Sequence, residues 1–183
     1  APTDASETWH STAVTQFKSP VTVETRFISS FVYQSSSSDA DLEFVLAPED
    51  SNLTTLAQTG DTQGTDTFAL VIETQCEDCA TSQAIGVRLG GQLQTISVPD
   101  EIGLASGDPI QVMMIYETLT KTVSVTLKNA DKSFSSDVTG VDLLKLLGTN
   151  RAQVGFVAQG NGQASSQNIS GFNFVYGAAT IEA

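Results

Sequence analysis

The chain has 183 residues, 40% of them apolar, with 21 acidic against 8 basic side chains and a net charge of −13. That balance repels phosphate backbones and argues against nucleic acid as a partner, and no apolar run approaches the 18 or so residues of a membrane span. The length suits one domain over residues 1–183, large enough to bury roughly 70% of its unfolded surface without a metal or disulfide merely to fold.

The opening Ala1-Pro-Thr-Asp4 is what a secreted protein freed of its leader shows, and equally what a chain trimmed at this point shows. Two sites, Asn52-Leu-Thr54 and Asn168-Ile-Ser170, match the N-glycosylation acceptor pattern and lean the same way. Thr22 through Tyr33 is rich in β-branched and aromatic residues and predicts one long strand, or two joined at a bend. The run Ser35–Ser38 is a short polar loop. Asp39-Ala-Asp-Leu-Glu-Phe-Val-Leu-Ala-Pro48 then places two carboxylates at the mouth of an alternating strand. Phe68 through Thr74 is almost continuously apolar, the pattern of a strand covered on both faces.

Further along, Ala84–Leu89 and Gln92–Val98 flank a Gly90-Gly91 hairpin turn. Ile110–Tyr116 and Thr122–Lys128 read as antiparallel neighbours, and Gln153–Ala158 and Ile169–Tyr176 as the last strands. One segment breaks the period of two: Val141-Asp-Leu-Leu-Lys-Leu-Leu-Gly148 spaces its apolar residues helically and stops on Gly. Many short strands with one helical insert predict an all-β antiparallel sandwich carrying one short helix.

Several of these stretches, in this order, resemble the L-type (legume-type) lectins. Thr8-Trp-His-Ser11 before a long strand is similar to that family's opening, and Asp41-Leu-Glu-Phe-Val-Leu-Ala-Pro48 to its acidic motif leading into an apolar strand. Ile85-Gly-Val87, Val141-Asp-Leu143 and Val154-Gly-Phe156 resemble later family motifs. The resemblance implies a jelly-roll-like sandwich with a flat back sheet and a curved front sheet. It also implies a sugar site in loops above the front sheet, where a carboxylate and amide donors hold hydroxyls and an aromatic face stacks on the ring.

On the register fixed by Ala47-Pro48, the family's sugar-binding Asp falls on Ala40, and a one-residue slip restores Asp39 or Asp41 to that role. A carboxylate suits it because it accepts charge-assisted hydrogen bonds from adjacent hydroxyls; a solvated acidic turn is the plainer reading. The tract Gly160-Asn161-Gly162 is either a specificity loop whose backbone N–H groups approach a ligand closely or an ordinary hairpin. Gly60 through Gly64 is a second rim loop on the same terms, and Trp9 is either core or a stacking platform.

The resemblance also implies a calcium and a transition metal held by a Glu and an Asp on one strand and a downstream His. Here Val71, Glu73 and Ala84 occupy those places. Losing a carboxylate and an imidazole removes the transition-metal site. Glu73, Glu77 and Asp78 offer hard oxygens to a lone calcium but fall short of its six to eight ligands. The loop instead carries Cys76 and Cys79, the chain's two cysteines. They are too few for a zinc site with His10 far away, and no helix start follows for redox chemistry. A local disulfide worth about 2 kcal/mol or less is the expectation.

Hydrolytic chemistry finds little support. The strand-borne Glu-x-Asp-x-x-Glu pattern of sandwich glycosidases is absent, and in extended chain Glu73 and Glu77 stand about 13 Å apart. There is no Gly-x-Ser-x-Gly elbow either. The sequence therefore reads as a secreted, non-catalytic carbohydrate-binding domain with glycans as partners and no cofactor beyond a calcium ion. The alternative is a homo-oligomer or filament, a structural subunit in which metal and sugar binding are lost.

Overall fold

A computed structural model describes residues 10–17, 19–36, 40–59, 66–161 and 167–176. Among these described residues, twelve strands form two antiparallel sheets, as the period-two pattern predicts. The front sheet runs in the order β1 (His10–Gln16), β11 (Arg151–Asn161), β4 (Ala40–Pro48), β5 (Phe68–Glu73), β6 (Gln83–Leu89) and β7 (Gln92–Val98), with β2 (Val21–Thr22) also paired to β11. The back sheet is β10 (Ser133–Val138), β9 (Thr122–Lys128), β8 (Ile110–Glu117), β3 (Phe27–Ser35) and β12 (Gln167–Tyr176). The segment from Thr22 to Tyr33 resolves into two strands, β2 and β3.

Alternation decides which side chains fill the sandwich. Leu42, Phe44 and Leu46 of β4 and Phe68, Leu70 and Ile72 of β5 point inward, against Phe27, Phe31 and Tyr33 of β3 and Val112, Met114 and Tyr116 of β8. Phe31, Phe44, Phe156 and Phe172 pack in edge and tilted arrangements at one end of this core. Val45, Ala47, Ala69, Val71 and Val157, on the outer face of the front sheet, form a second, smaller core with Leu53. This is why β5 reads as apolar on both faces.

The helix expected near Val141 is present as α2 (Leu143–Leu147), capped by Asp142 and ended by Gly148 at φ +67°. The expectation of a single helix is corrected: α1 (Leu53–Thr59) is a second one. Its N-cap is Asn52, whose side-chain oxygen accepts the Thr55 N–H at 3.1 Å. That residue stood out in the sequence only as a glycosylation acceptor. Gly155 lets α1 lie close to β11, because a Cβ there would sit 2.5 Å from Leu53 Cδ1 and 2.4 Å from the Thr15 carbonyl. Strand β10 also escaped the sequence pattern. Its outward residues are Ser133, Ser135 and Asp137, and its inward ones only Phe134, Ser136 and Val138.

Candidate functional site

The outer face of the front sheet presents its side chains in rows across neighbouring strands. One row carries Asp41 of β4, Glu73 of β5, Ala84 of β6 and Ser97 of β7. The next carries Glu43, Val71, Gly86 and Thr95, and a third Val45, Ala69, Arg88 and Leu93. Directly opposed residues on antiparallel strands hold their Cβ atoms about 5 Å apart. Asp41 and Glu73 are therefore side by side, with Glu43 one row away.

Beside this pair a cavity of about 340 Å³ opens, lined by Asp41, Glu73, Gln75, Thr95 and the loop Cys76–Cys79. That loop is closed by the Cys76–Cys79 disulfide, with Cα atoms 5.5 Å apart. It is fastened further by Cys76 N–H to the Ser82 carbonyl (2.8 Å) and Ala80 N–H to Ser97 Oγ (3.2 Å). Ser82 donates from both its N–H and its hydroxyl to Asp100 Oδ1, at 3.2 and 2.7 Å. A larger hollow of about 640 Å³ lies by the 3-10 turn Asp100–Ile102 and Asn129. There Asn129 spends its amide internally, donating to the Glu101 and Ile102 carbonyls and accepting from the Asp131 and Lys132 N–H groups. The smaller cavity is the stronger candidate, because among the described residues its carboxylates accept no such set of hydrogen bonds.

Its electrostatics follow from the crowding. Burial pushes the Asp41 carboxyl up to about 6, helped first by the negative charge of Glu73 and then by that of Glu43. Glu73 is raised by burial and partly drawn back by Arg88. Behind them the Tyr33 phenol rises to about 12, chiefly through burial. Arg88 meets Glu43 at 2.7 Å, both side chains below 10% exposed. An Asp41 carboxyl so raised accepts hydrogen bonds when charged and donates one when neutral.

Of the residues singled out in the sequence, Asp41, Glu73, Glu77, Asp78, Cys76 and Cys79 come together around this cavity. Asp39, Gly64, Gly162 and Trp9 lie outside the described residues. Gly160 and Asn161 are placed by backbone alone. Instead of forming a hairpin loop they extend β11, with Gly160 opposite Ala40 and Ser11, next to the Gln159–Asp41 pair. Asn52 and Asn168 are both exposed, Asn168 on β12. β5 ends at Glu73 and the chain turns there, so that Glu73 and Glu77 line one cavity. Gln75, Thr95, Glu43 and Arg88 were not read as site residues. Alternation shows that Glu43 and Arg88 share an outer face with Asp41, but not that two strands would bring them together.

A transition metal does not fit the donor set. Val71 and Ala84 stand beside Glu73 and Glu43 in the rows, both buried and both aliphatic. Among the described residues no group of three or more His, Cys, Asp or Glu is arranged to hold a metal ion. No described helix is long and apolar enough to cross a membrane.

No protein-family model matches the chain, and neither does any curated protein. Solved structures do. The seed lectin of Lotus tetragonolobus superposes with a TM-score of 0.73 at 18% identity, covering 90% of this chain and 80% of that one. Peanut lectin, solved with a nine-residue peptide, gives 0.72 at 22% identity over the same shares. The lectin of Bauhinia forficata in complex with GalNAc gives 0.67 at 16%, covering 94% of this chain and 83% of that one. The chain thus has the L-type lectin-like fold, an antiparallel β-sandwich of the legume-lectin kind.

Proposed function

We propose that this protein is a secreted, non-catalytic carbohydrate-binding domain that grips glycan hydroxyls at the Asp41–Glu73 cavity. The observation that carries this reading is the pairing of two carboxylates on adjacent strands at the wall of an open cavity, with the amide of Gln75 and the hydroxyl of Thr95 beside them. Carboxylate, amide and hydroxyl groups converging on one hollow suit a neutral polyol, whose hydroxyls both donate and accept. The fold supports the reading as well, since solved structures that share it are lectins and one holds GalNAc. The Cys76–Cys79 disulfide is what an oxidising compartment favours, and the exposed Asn52 and Asn168 acceptors agree with secretion.

The test is a glycan array probed with the wild-type protein and with D41N and E73Q, in the presence and absence of a chelator. Selective retention of one glycan class, lost in both variants while they remain folded, is the expected result. Uniform silence, or binding that both variants keep, would remove the cavity as the sugar site.

A further inference from the structure

We propose that Arg88 is the resident cation of the front-sheet acidic cluster, a buried guanidinium that holds Glu43 and Glu73, beside Asp41, without a divalent ion. The inference rests on the proposed site only in that it concerns the same carboxylates. Its own foundation is the route the side chain takes. Arg88 belongs to β6 and Glu43 to β4, with β5 between them, yet Arg88 Nη2 lies 2.7 Å from Glu43 Oε2. The side chain must therefore cross β5.

The residues along that path are small. Ala69 is the β5 residue opposite Arg88, and Val71 the one opposite Glu43. Gly86 adjoins the crossing on β6, and Leu93 leans so close over it that a Cβ there would meet Leu93 Cδ1 at 2.6 Å. An acid at position 71 would stand in the way of the guanidinium. The absence of a ligand there and the presence of Arg88 are thus two sides of one packing solution.

Burial makes the charge matter. Glu43 is 5% exposed and Arg88 6%. Arg88 Nε has no hydrogen-bond partner among the described residues, and the Nη2–Oε2 contact lacks hydrogen-bond alignment. What holds the pair is therefore mostly charge, and a charge so placed acts at short range with little screening. Its influence reaches the next row, where Arg88 draws the Glu73 carboxyl back down against burial. Three acids and one base leave the cluster partly neutralised, with Glu43 already engaged. A calcium ion needs six to eight oxygen ligands and would have to enter beside a fixed positive charge.

The test uses thermal unfolding of the whole protein with no sugar present, so failure of the glycan reading and failure of this one are separable. The wild-type protein should keep the same Tm with excess chelator and with millimolar calcium, and should show no calcium uptake by calorimetry. R88M leaves Glu43 and Glu73 without their cation beside Asp41 and should acquire a calcium-dependent rise in Tm, roughly 5–10 °C at calcium 100-fold above its Kd. R88M/E43Q should lose that gain. A wild-type Tm that falls on chelation, or stoichiometric calcium uptake by the wild type, overturns the proposal. So does an R88M that responds to calcium no more than wild type does. The wild-type arms can overturn the proposal even if R88M does not fold.

Discussion

Replacing Asp41 by Asn should make the protein more stable above neutrality and remove part of its pH dependence. Asp41 ordinarily titrates at 3.8 and in the fold near 6, because burial, Glu73 and Glu43 all disfavour its charge. The native state then holds a proton that the unfolded chain has released. Stability from this group is full below 3.8 and declines as pH rises from there through about 6. At about 1.36 kcal/mol per pH unit the difference would approach about 3 kcal/mol in a dry site. Asp41 is only half-buried, and Gln75 and Thr95 share its open cavity, so solvent screening reduces this to about 1–2 kcal/mol. The charged groups around it are Glu43 on its own strand, Glu73 opposite, Arg88 beyond, and Glu77 and Asp78 across the cavity. Urea unfolding of wild type and D41N at fixed ionic strength from pH 4 to 8 reads the effect. The difference in unfolding free energy, D41N minus wild type, should rise by about 1–2 kcal/mol between pH 4 and pH 7. A flat difference would refute the crowding of carboxylates at this site. A falling one would show that a cation holds Asp41 charged.

The same crowding predicts that E73Q lowers the Asp41 titration, followed by carboxyl NMR, and that E43Q lowers it less, since Glu73 is the larger of the two charge effects. G155A should cost about 1–3 kcal/mol by overpacking β11 against the Thr15 carbonyl and Leu53, measured as a lowered urea midpoint. An unchanged midpoint would mean that α1 does not press on the sheet there. N129A should cost about 1–3 kcal/mol, because one amide makes four hydrogen bonds tying Asp100–Ile102 to the β9–β10 turn. N129D keeps the accepting oxygen but sets a carboxylate oxygen against the Glu101 and Ile102 carbonyls, and should cost at least as much as N129A.

The sandwich was legible because its strands alternate strongly, and the order of the motifs from Asp41 to Phe156 carried the fold family. What escaped were elements whose residues answer to more than one rule. Asn52 stood out only as a glycosylation acceptor, while its side-chain oxygen also caps α1. Ser133 to Val138 carries only two apolar side chains and survives as a strand because its partner β9 supplies the ladder. Of the site, Asp41, Glu73 and the disulfide loop were visible as residue types at telling positions. Glu43 and Arg88 were not, since they stand 45 positions apart in the chain and meet only across β5, a relation no local pattern encodes.

That crossing gives the front sheet its particular character. An outer sheet face normally meets water and carries polar side chains. Here α1, Val45, Ala69, Val71 and Val157 make most of it a second core, so any charge left on it is drawn into a place of low polarity. Glu43 and Arg88 neutralise each other there, and Asp41 and Glu73 are displaced towards the rim, where the cavity opens and water or a polyol can reach them. The apolar cover over one end of the sheet thus produces the carboxylate-rich mouth at the other. The loop that closes this mouth is fastened by a disulfide and by hydrogen bonds to Ser97 and Asp100, so its position depends on covalent and backbone contacts rather than on the charge state of the acids it carries.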